Sequence, residues 1–130
     1  MIRVIIVDNE ETFRKALKTI LLNIGDVEIV AEASNGEEFL NLIGQCAADL
    51  VFMDVKMPVM DGVEATRRAK TVYPELPIMA FSSYETQYYI DRMIEAGANG
   101  FLSKSADNYD LLAGIINGIK TGDFFKIKNY

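Results

Sequence analysis

Polar side chains that could take part in chemistry follow the apolar runs of this 130-residue sequence. Residues 8–10 read Asp-Asn-Glu and come directly after the first run, and Asp54 comes directly after a later one. Ser82 closes a fourth run, and Lys104 follows the fifth. Apolar runs of this kind are typical of buried strands, and the carboxyl ends of such strands form the crevice of an α/β sheet. We therefore expect these polar groups to converge at one edge.

Carboxylates gathered at one edge repel each other and need a counter-charge. A magnesium ion would supply it, because Mg²⁺ takes oxygen ligands from one or two carboxylates and keeps several waters. Lys104 would bring a second positive charge. A set of acids, a divalent cation, a lysine and a hydroxyl suits phosphoryl chemistry, in which the cations neutralise the phosphoryl oxygens during in-line attack.

The composition excludes several other kinds of chemistry. The chain has no histidine, so it cannot build a Ser-His-Asp triad or a His-ligated zinc site. Its one cysteine, Cys46, rules out an intrachain disulfide and is read as a buried structural thiol on a helix. A net charge of −6 argues against direct binding of nucleic acid. No signal peptide or bilayer-spanning run is visible, which predicts a cytoplasmic protein with no membrane partner.

The elements that must position these groups alternate between strand and helix. Strands are predicted at 2–7, 27–33, 50–53, 78–81 and 100–102. Helices are predicted at about 11–23, from Ser34 onward, and at about 61–73, 86–96 and 108–120. Residues 34–37, Ser-Asn-Gly-Glu, form a capping-box pattern, so Ser34 is the predicted cap of the second helix. Five strands alternating with five helices in a chain of this length predict one domain of the α/β class, a doubly wound parallel sheet with helices on both faces.

Each polar residue taken singly also has an ordinary structural explanation. An aspartate such as Asp8 after a strand often caps a helix or forms a turn. A lone Ser82 is commonly a satisfied turn hydroxyl, and a lone Lys104 is commonly a solvated surface lysine. No structural need links all of these positions, so their joint placement favours a functional site.

The residues resemble the receiver domain of bacterial two-component response regulators, a CheY-like fold, over about 2–122. The residues that carry the resemblance are the acidic run at 8–10, the string Met-Asp-Val-Lys-Met-Pro-Val-Met-Asp-Gly at 53–62, Ser82 after its apolar run, and the segment 97–104 ending in Lys104. The resemblance implies a flavodoxin-like sheet with strand order 2-1-3-4-5. It also implies a signalling domain that catalyses only its own phosphorylation and dephosphorylation.

The family's roles carry over to matching positions in this sequence. Asp54 would be the phosphoacceptor, taking a phosphoryl group from a sensor histidine kinase, and Lys104 would pair with the phosphoryl oxygens. Ser82 would be the switch hydroxyl and Phe101 the switch aromatic, although Phe101 also suits a plain core position. The resemblance assigns the Mg²⁺ site to one set of residues, namely Asp8, Asn9, Asp54 and the backbone carbonyl of Lys56.

Two positions depart from the family pattern. The second acid after the first strand is replaced by Asn9, whose amide oxygen can still bind a metal but carries no charge, so weaker magnesium binding is expected. Glu10 could compensate, although the family gives it no such role. The usual proline after Lys104 is replaced by Ser105, and because a cis bond without proline costs roughly 2.5–4 kcal/mol, we expect a trans bond.

The departure at Ser105 and the sequence around Lys104 resemble NarL/FixJ-type receivers, which precede a helix-turn-helix DNA-binding domain. The segment 123–130 is then a C-terminal tail or the start of a linker, and we favour an excised receiver over a stand-alone one. Phosphorylation would switch the face formed by helix four, strand five and helix five and so control transcription. Tyr84, Tyr88 and Tyr89 on that face suit either a partner or homodimer surface or simple packing.

Three alternatives are weaker. A phosphohydrolase of the haloacid dehalogenase type would need a second acid two residues after Asp54, where Lys56 stands. A flavodoxin-like nucleotide binder would carry glycines and hydroxyls after the first strand, where the acids at 8–10 would repel a phosphate. A pseudo-receiver that is never phosphorylated stays open because of Asn9, but the presence of Asp54, Ser82 and Lys104 argues against it.

Overall fold

The computed structural model describes residues 1–83, 87–104 and 108–124, within which strands and helices alternate along the chain. The strands are β1 (Ile2–Val7), β2 (Val27–Ala33), β3 (Leu50–Met53), β4 (Ile78–Ser82) and β5 (Gly100–Ser103). The helices are α1 (Glu11–Ile24), α2 (Gly36–Ile43), α3 (Gly62–Val72), α4 (Gln87–Glu95) and α5 (Tyr109–Thr121). The predicted elements are all present, and their ends differ by one or two residues.

All described strand pairings are parallel, and the sheet has the order β2-β1-β3-β4-β5. This order confirms the predicted doubly wound sheet. The pairing of β1 with β3 places Val7 beside Met53 and continues one residue further, where the Asp54 amide donates to the Val7 carbonyl at 2.9 Å. The register therefore brings the residues that follow β1 and β3 next to each other.

Apolar clusters cover both faces of the sheet. On one face, Ile6 and Phe52 pack with buried residues of α1 and α5, including Leu17 and Ile115. On the other face, the buried strand residues are joined by residues of α2, α3 and α4, among them Phe39, Ala65 and Met93. Because β1 and β3 are buried on both sides, nearly every residue in them is apolar.

The start of α2 corrects the predicted cap. Asn35, not Ser34, caps the helix, because its side-chain oxygen accepts from the Glu38 amide at 3.0 Å. The Glu38 side chain reaches back past the cap and accepts from the Ser34 amide at 3.1 Å, an arrangement similar to a capping box but displaced by one residue. The helix begins one residue later than predicted because the Gly36 amide donates to the Met60 carbonyl at 2.9 Å.

The position of Cys46 also differs from its prediction. It lies beyond the end of α2 at Ile43 and is only half-buried as a free thiol. The chain turns after Ile43, where the Gln45 and Cys46 amides both donate to the Leu42 carbonyl at 2.9 Å. Within the described ranges, no helix is long and apolar enough to cross a membrane.

The start of α3 is pressed against the end of β3. Asp61 caps the helix by accepting from the Glu64 amide at 2.9 Å, and the Gly62 amide donates to the Val55 carbonyl at 2.7 Å. A Cβ atom at Gly62 would lie 1.9 Å from the Asp54 carbonyl oxygen, which is backbone and cannot move aside. Only glycine allows this approach, so the backbone of Asp54 is held by the first turn of α3.

We predict that Gly62→Ala lowers the free energy of unfolding by more than about 2 kcal/mol, because the new methyl group must displace backbone. The matched control is Gly114→Ala, where a Cβ on α5 meets nothing within 4 Å. We expect the control to raise stability by about 0.5–1 kcal/mol, as alanine is the better helix former. Urea unfolding of both variants measures the difference, and equal effects would show that the close contact at Gly62 is unimportant.

Candidate functional site

Two buried carboxylates lie side by side at the carboxyl edge of the sheet. Asp8 directly follows β1 and is 1% exposed, and Asp54 directly follows β3 and is 5% exposed. One oxygen of each is fixed by the backbone, since Asp8 Oδ1 accepts from the Glu10 amide at 2.8 Å and Asp54 Oδ1 accepts from the Val55 amide at 2.9 Å. The strand ends thus hold two acids in fixed orientations.

Lys104 brings the compensating positive charge to these acids. Its backbone amide donates to the Ser82 carbonyl at 3.0 Å, which fixes the turn after β5. Its Nζ atom lies 2.5 Å from Asp8 Oδ2 and 3.6 Å from Asp54 Oδ1, with the lysine side chain 7% exposed. The structure therefore brings together three predicted site residues that are far apart in the sequence.

The electrostatics of the site follow from this burial. Burial, and after it the negative charge of Asp8, raise the pKa of Asp54 to about 7 against the opposing effects of Lys104 and the Val55 amide. Burial lowers the pKa of Lys104, but its hydrogen bond to Asp8 and the charges of both aspartates outweigh this, so the net shift is upward. The lysine stays charged, while Asp54 can gain or lose a proton near neutral pH.

The proposed switch residues lie on neighbouring strands. Ser82 is the fully buried last residue of β4, and it pairs in register with Ser103, the residue before Lys104. Phe101, on β5, is half-buried and packs against the apolar cluster on the side of α2, α3 and α4. Ser82 therefore lies at the same sheet edge as the acids, and Phe101 lies further back along its strand.

The predicted metal ligands supply suitable oxygen atoms. Asp8 Oδ2 is buried and, apart from its ion pair with Lys104, has no hydrogen bond of ordinary geometry among the described residues. Asn9 and Lys56 are exposed; Asn9 directly follows Asp8, and Lys56 lies two residues after Asp54. No group of three or more His, Cys, Asp or Glu side chains in the described ranges could hold a metal by itself. A buried carboxylate oxygen with few partners, a second carboxylate and an amide nonetheless fit a hard cation that keeps several waters, as Mg²⁺ does.

Two residues of α1 contribute to the site without having been predicted to do so. The ring of Phe13 lies 4.2 Å from Lys104 Nζ, close enough for a cation–π contact, and its edge packs on Phe81 at 5.1 Å. Arg14 donates from its guanidinium to the Asp8 carbonyl. The sequence showed Phe13 only as part of the apolar stripe of α1, and no spacing signal links it to Lys104.

The tyrosines near α4 are partly described. Tyr88 is 64% exposed, and its ring contacts the half-buried ring of Tyr89 edge to face at 5.2 Å. Tyr84, Ser105 and the tail beyond Phe124 lie outside the described residues, so the predictions about them stay predictions.

Comparison with known proteins adds independent information. The sequence matches the response regulator receiver domain family over residues 4–116. It is 32% identical over 114 residues to the transcriptional regulatory protein DegU of Brevibacillus brevis, covering 88% of this chain and 48% of DegU. It is 44% identical over 106 residues to the two-component response regulator ORR41 of Oryza sativa subsp. japonica, covering 80% of this chain and 84% of ORR41.

The fold is also similar to that of solved response regulator receiver domains. The signal receiver domain of the putative response regulator NarL from Mycobacterium tuberculosis superposes with a TM-score of 0.83 and 25% identity, covering 92% of this chain and 96% of that domain. This chain spans about half the length of DegU and of the response regulator GacA of Pseudomonas viridiflava. Since the family match covers most of the sequence and the sheet has the strand order that the resemblance implied, the chain belongs to the response regulator receiver domain family.

Proposed function

We propose that Asp54 accepts a phosphoryl group from a phosphohistidine of a partner sensor kinase. The observation that carries this proposal is the contact of Lys104 Nζ with both Asp8 and Asp54 at the carboxyl edge of the sheet. A buried carboxylate beside a fixed ammonium has the charge arrangement that receives and holds a phosphoryl group. These 130 residues contain no histidine, so the donor phosphohistidine would lie outside them.

In the transfer, a carboxylate oxygen of Asp54 attacks the phosphorus atom while the bond from phosphorus to the imidazole nitrogen breaks. The electron pair of that bond stays on the nitrogen. The histidine that leaves is neutral when its ring carries one proton. The product is an acyl phosphate on Asp54. Lys104 neutralises the phosphoryl oxygens, and Asp54 must be ionised to act as the nucleophile.

Asp8, Asn9, Asp54 and the Lys56 carbonyl would hold a magnesium ion beside the reacting oxygens. When bound, Mg²⁺ would neutralise negative charge on the transferring phosphoryl group. The uncharged Asn9 leaves this ligand set with one negative charge fewer than a paired acid would give, so magnesium affinity is expected to be modest.

Phosphorylation adds about two negative charges beside Asp8. We propose that Lys104 and Ser82 move toward the phosphoryl oxygens and that Phe101 follows, rearranging the face of α4, β5 and α5. Moving a population from 1:99 to 99:1 needs about 5.5 kcal/mol of differential stabilisation. Two or three charge-assisted hydrogen bonds of about 1.5–3 kcal/mol each can supply this amount.

The proposed output is control of transcription through a DNA-binding domain outside these residues. Support comes from the name of DegU, a transcriptional regulatory protein, of which this chain covers 48%. The alternative is a stand-alone or unphosphorylated interaction module, which Asn9 keeps open. On the switched face, the exposed Tyr88 offers a surface for a phosphorylation-dependent homodimer.

We predict that the protein gains one phosphoryl group when it is incubated with magnesium and acetyl phosphate, as measured by intact mass spectrometry. Asp54→Asn should abolish the gain, because the amide cannot act as the nucleophile. Asp91→Asn, at an exposed position on α4, is the matched control and should behave as wild type. An unmodified wild type, or a fully modified Asp54→Asn, would contradict the proposed function.

We predict that Asn9→Asp lowers the magnesium concentration needed for half-maximal phosphorylation by about ten-fold, since it adds a charged oxygen ligand next to Asp8. The same change at the exposed Asn41 on α2 controls for the added charge and should have no such effect. A magnesium dependence that is identical in wild type and Asn9→Asp would remove Asn9 from the proposed ligand set.

We predict that Asp54→Asn stabilises the protein in a magnesium-free buffer containing chelator. The pKa of Asp54 rises from 3.8 to about 7 on folding, so its contribution to stability is lost as pH rises from the lower value to the higher. The variant should gain about 1–3 kcal/mol near pH 8 and roughly 1 kcal/mol less near pH 5.5. Urea unfolding at the two pH values measures the gain, and a gain that is larger at the lower pH would contradict the assigned shift.

A further inference from the structure

Glu10 is the exposed member of the three acids that contact Lys104. Its Oε1 atom accepts a hydrogen bond from Lys104 Nζ at 3.3 Å, and its side chain is 62% exposed. The side chains of Asp8 and Asp54 are 2% and 6% exposed. The carboxylate of Glu10 therefore lies on the solvent side of the lysine, where an incoming phosphodonor must approach.

The backbone of Glu10 is fixed in a way that leaves its side chain available for this contact. Its amide donates to Asp8 Oδ1 at 2.8 Å, and its carbonyl accepts from the Arg14 amide at 3.1 Å. Glu10 occupies the cap position of α1, but its side chain makes no capping hydrogen bond. Its carboxylate therefore contributes to the charge of the site and not to the start of the helix.

Among the described residues, the charges near Glu10 do not cancel its own. Arg14 is directed at the Asp8 carbonyl and at Glu32, with which it forms an ion pair at 3.3 Å. Lys104 is shared among three carboxylates, so the set of these four side chains has an excess of negative charge. An arriving anion must compete with Glu10 for the ammonium and also meets its repulsion.

We propose that Glu10 is a specificity-determining residue that filters phosphodonors by charge, disfavouring small donors with a high negative charge. The inference rests on the proposed phosphorylation of Asp54 and deepens it. A neutral side chain at position 10 would free Lys104 for the phosphoryl oxygens and remove one negative charge from the entrance. The increase in the phosphorylation rate would be greatest for the donor with the highest negative charge.

The test compares Glu10→Gln, which keeps the shape and removes the charge, with wild type and with Glu10→Asp. Two donors are used with magnesium present: acetyl phosphate, a dianion near neutral pH, and phosphoramidate, a zwitterion with less net negative charge. We expect Glu10→Gln to raise the phosphorylation rate with acetyl phosphate by roughly three- to ten-fold. With phosphoramidate, the phosphorylation rate should rise by less than about two-fold. Glu10→Asp should stay closer to wild type.

Glu11→Gln is the matched control, because Glu11 is the neighbouring exposed acid and pairs with Lys15 on the outer surface of α1. It removes the same charge from the protein and should leave both rates within about two-fold of wild type. Raising the salt from about 0.1 M to 1 M, which shortens the screening length from roughly 10 Å to 3 Å, should shrink the effect of Glu10→Gln. Equal acceleration with both donors, or no difference from Glu11→Gln, would overturn the charge filter.

A second measurement needs no phosphoryl transfer. Sulfate, a stable dianion, is titrated into protein with ¹³C-labelled lysine, and the Lys104 Cε signal is followed by NMR. Glu10→Gln should bind sulfate several-fold more tightly than wild type and Glu11→Gln, whereas unchanged binding would overturn the inference. If wild type is not phosphorylated at all, the proposed function is wrong. The sulfate titration would still show whether the charge of Glu10 weakens the binding of anions at Lys104.

Discussion

The ion contact of Lys104 with Asp8 and Asp54 is the interaction on which the site depends. Two carboxylates at 1% and 5% exposure repel each other and have lost most of their hydration, which is costly unless a counter-charge is close. Lys104 Nζ provides it at 2.5 Å and 3.6 Å. The compensation is incomplete, because burial and the charge of Asp8 still raise the pKa of Asp54 to about 7. The proposed magnesium binding and phosphoryl transfer rest on this buried and only partly neutralised pair of acids.

The rest of the fold serves this contact by setting the positions of three strand ends. The parallel register of β1 and β3 continues to the Asp54 amide, which places the two acids side by side. The turn after β5 is tied to β4 by the Lys104 amide and the Ser82 carbonyl. Gly62 lets α3 begin directly against the Asp54 carbonyl, so the backbone of Asp54 is held by the start of α3 as well as by the sheet. A change of charge at Asp54 would act first on Lys104, which follows β5 and is hydrogen-bonded to the end of β4, the two strands that carry the proposed switch residues.

The sequence was sufficient to predict the strands, their parallel arrangement and the convergence of Asp8, Asp54 and Lys104 at one edge of the sheet. The reason is physical: strands buried on both faces must be apolar along their whole length, so a polar residue directly after such a run stands out. The ends of helices were less predictable, because neighbouring residues can each end a helix and contacts with other parts of the fold select among them. Ser34 and Asn35 are both good caps, and the hydrogen bond of Gly36 to the Met60 carbonyl, set by the fold, decides between them. Cys46 falls outside its predicted helix because the chain turns after Ile43, and the Cys46 amide then donates to the Leu42 carbonyl.

The contacts of α1 with Lys104 could not have been predicted from spacing. Phe13 lies on the apolar stripe of its helix, and only the packing of α1 over the sheet brings its ring to 4.2 Å from Lys104 Nζ. The hydrogen bond of Glu10 with the same lysine joins residues 94 positions apart in the chain. Sequence spacing within an element indicates which face is buried, whereas contacts between distant elements depend on the assembled fold.

The central claim is that Lys104 pairs with the charge carried by Asp54, and the NMR signal of the Lys104 side chain tests it most directly. Protein with ¹³C-labelled lysine is observed before and after addition of magnesium and beryllofluoride, which adds to a carboxylate as a phosphoryl mimic. The account predicts a large shift of the Lys104 Cε signal in wild type and none in Asp54→Asn, with the signal of the exposed Lys15 unchanged in both. A Lys104 signal that does not move in wild type, or that moves equally in Asp54→Asn, would contradict it.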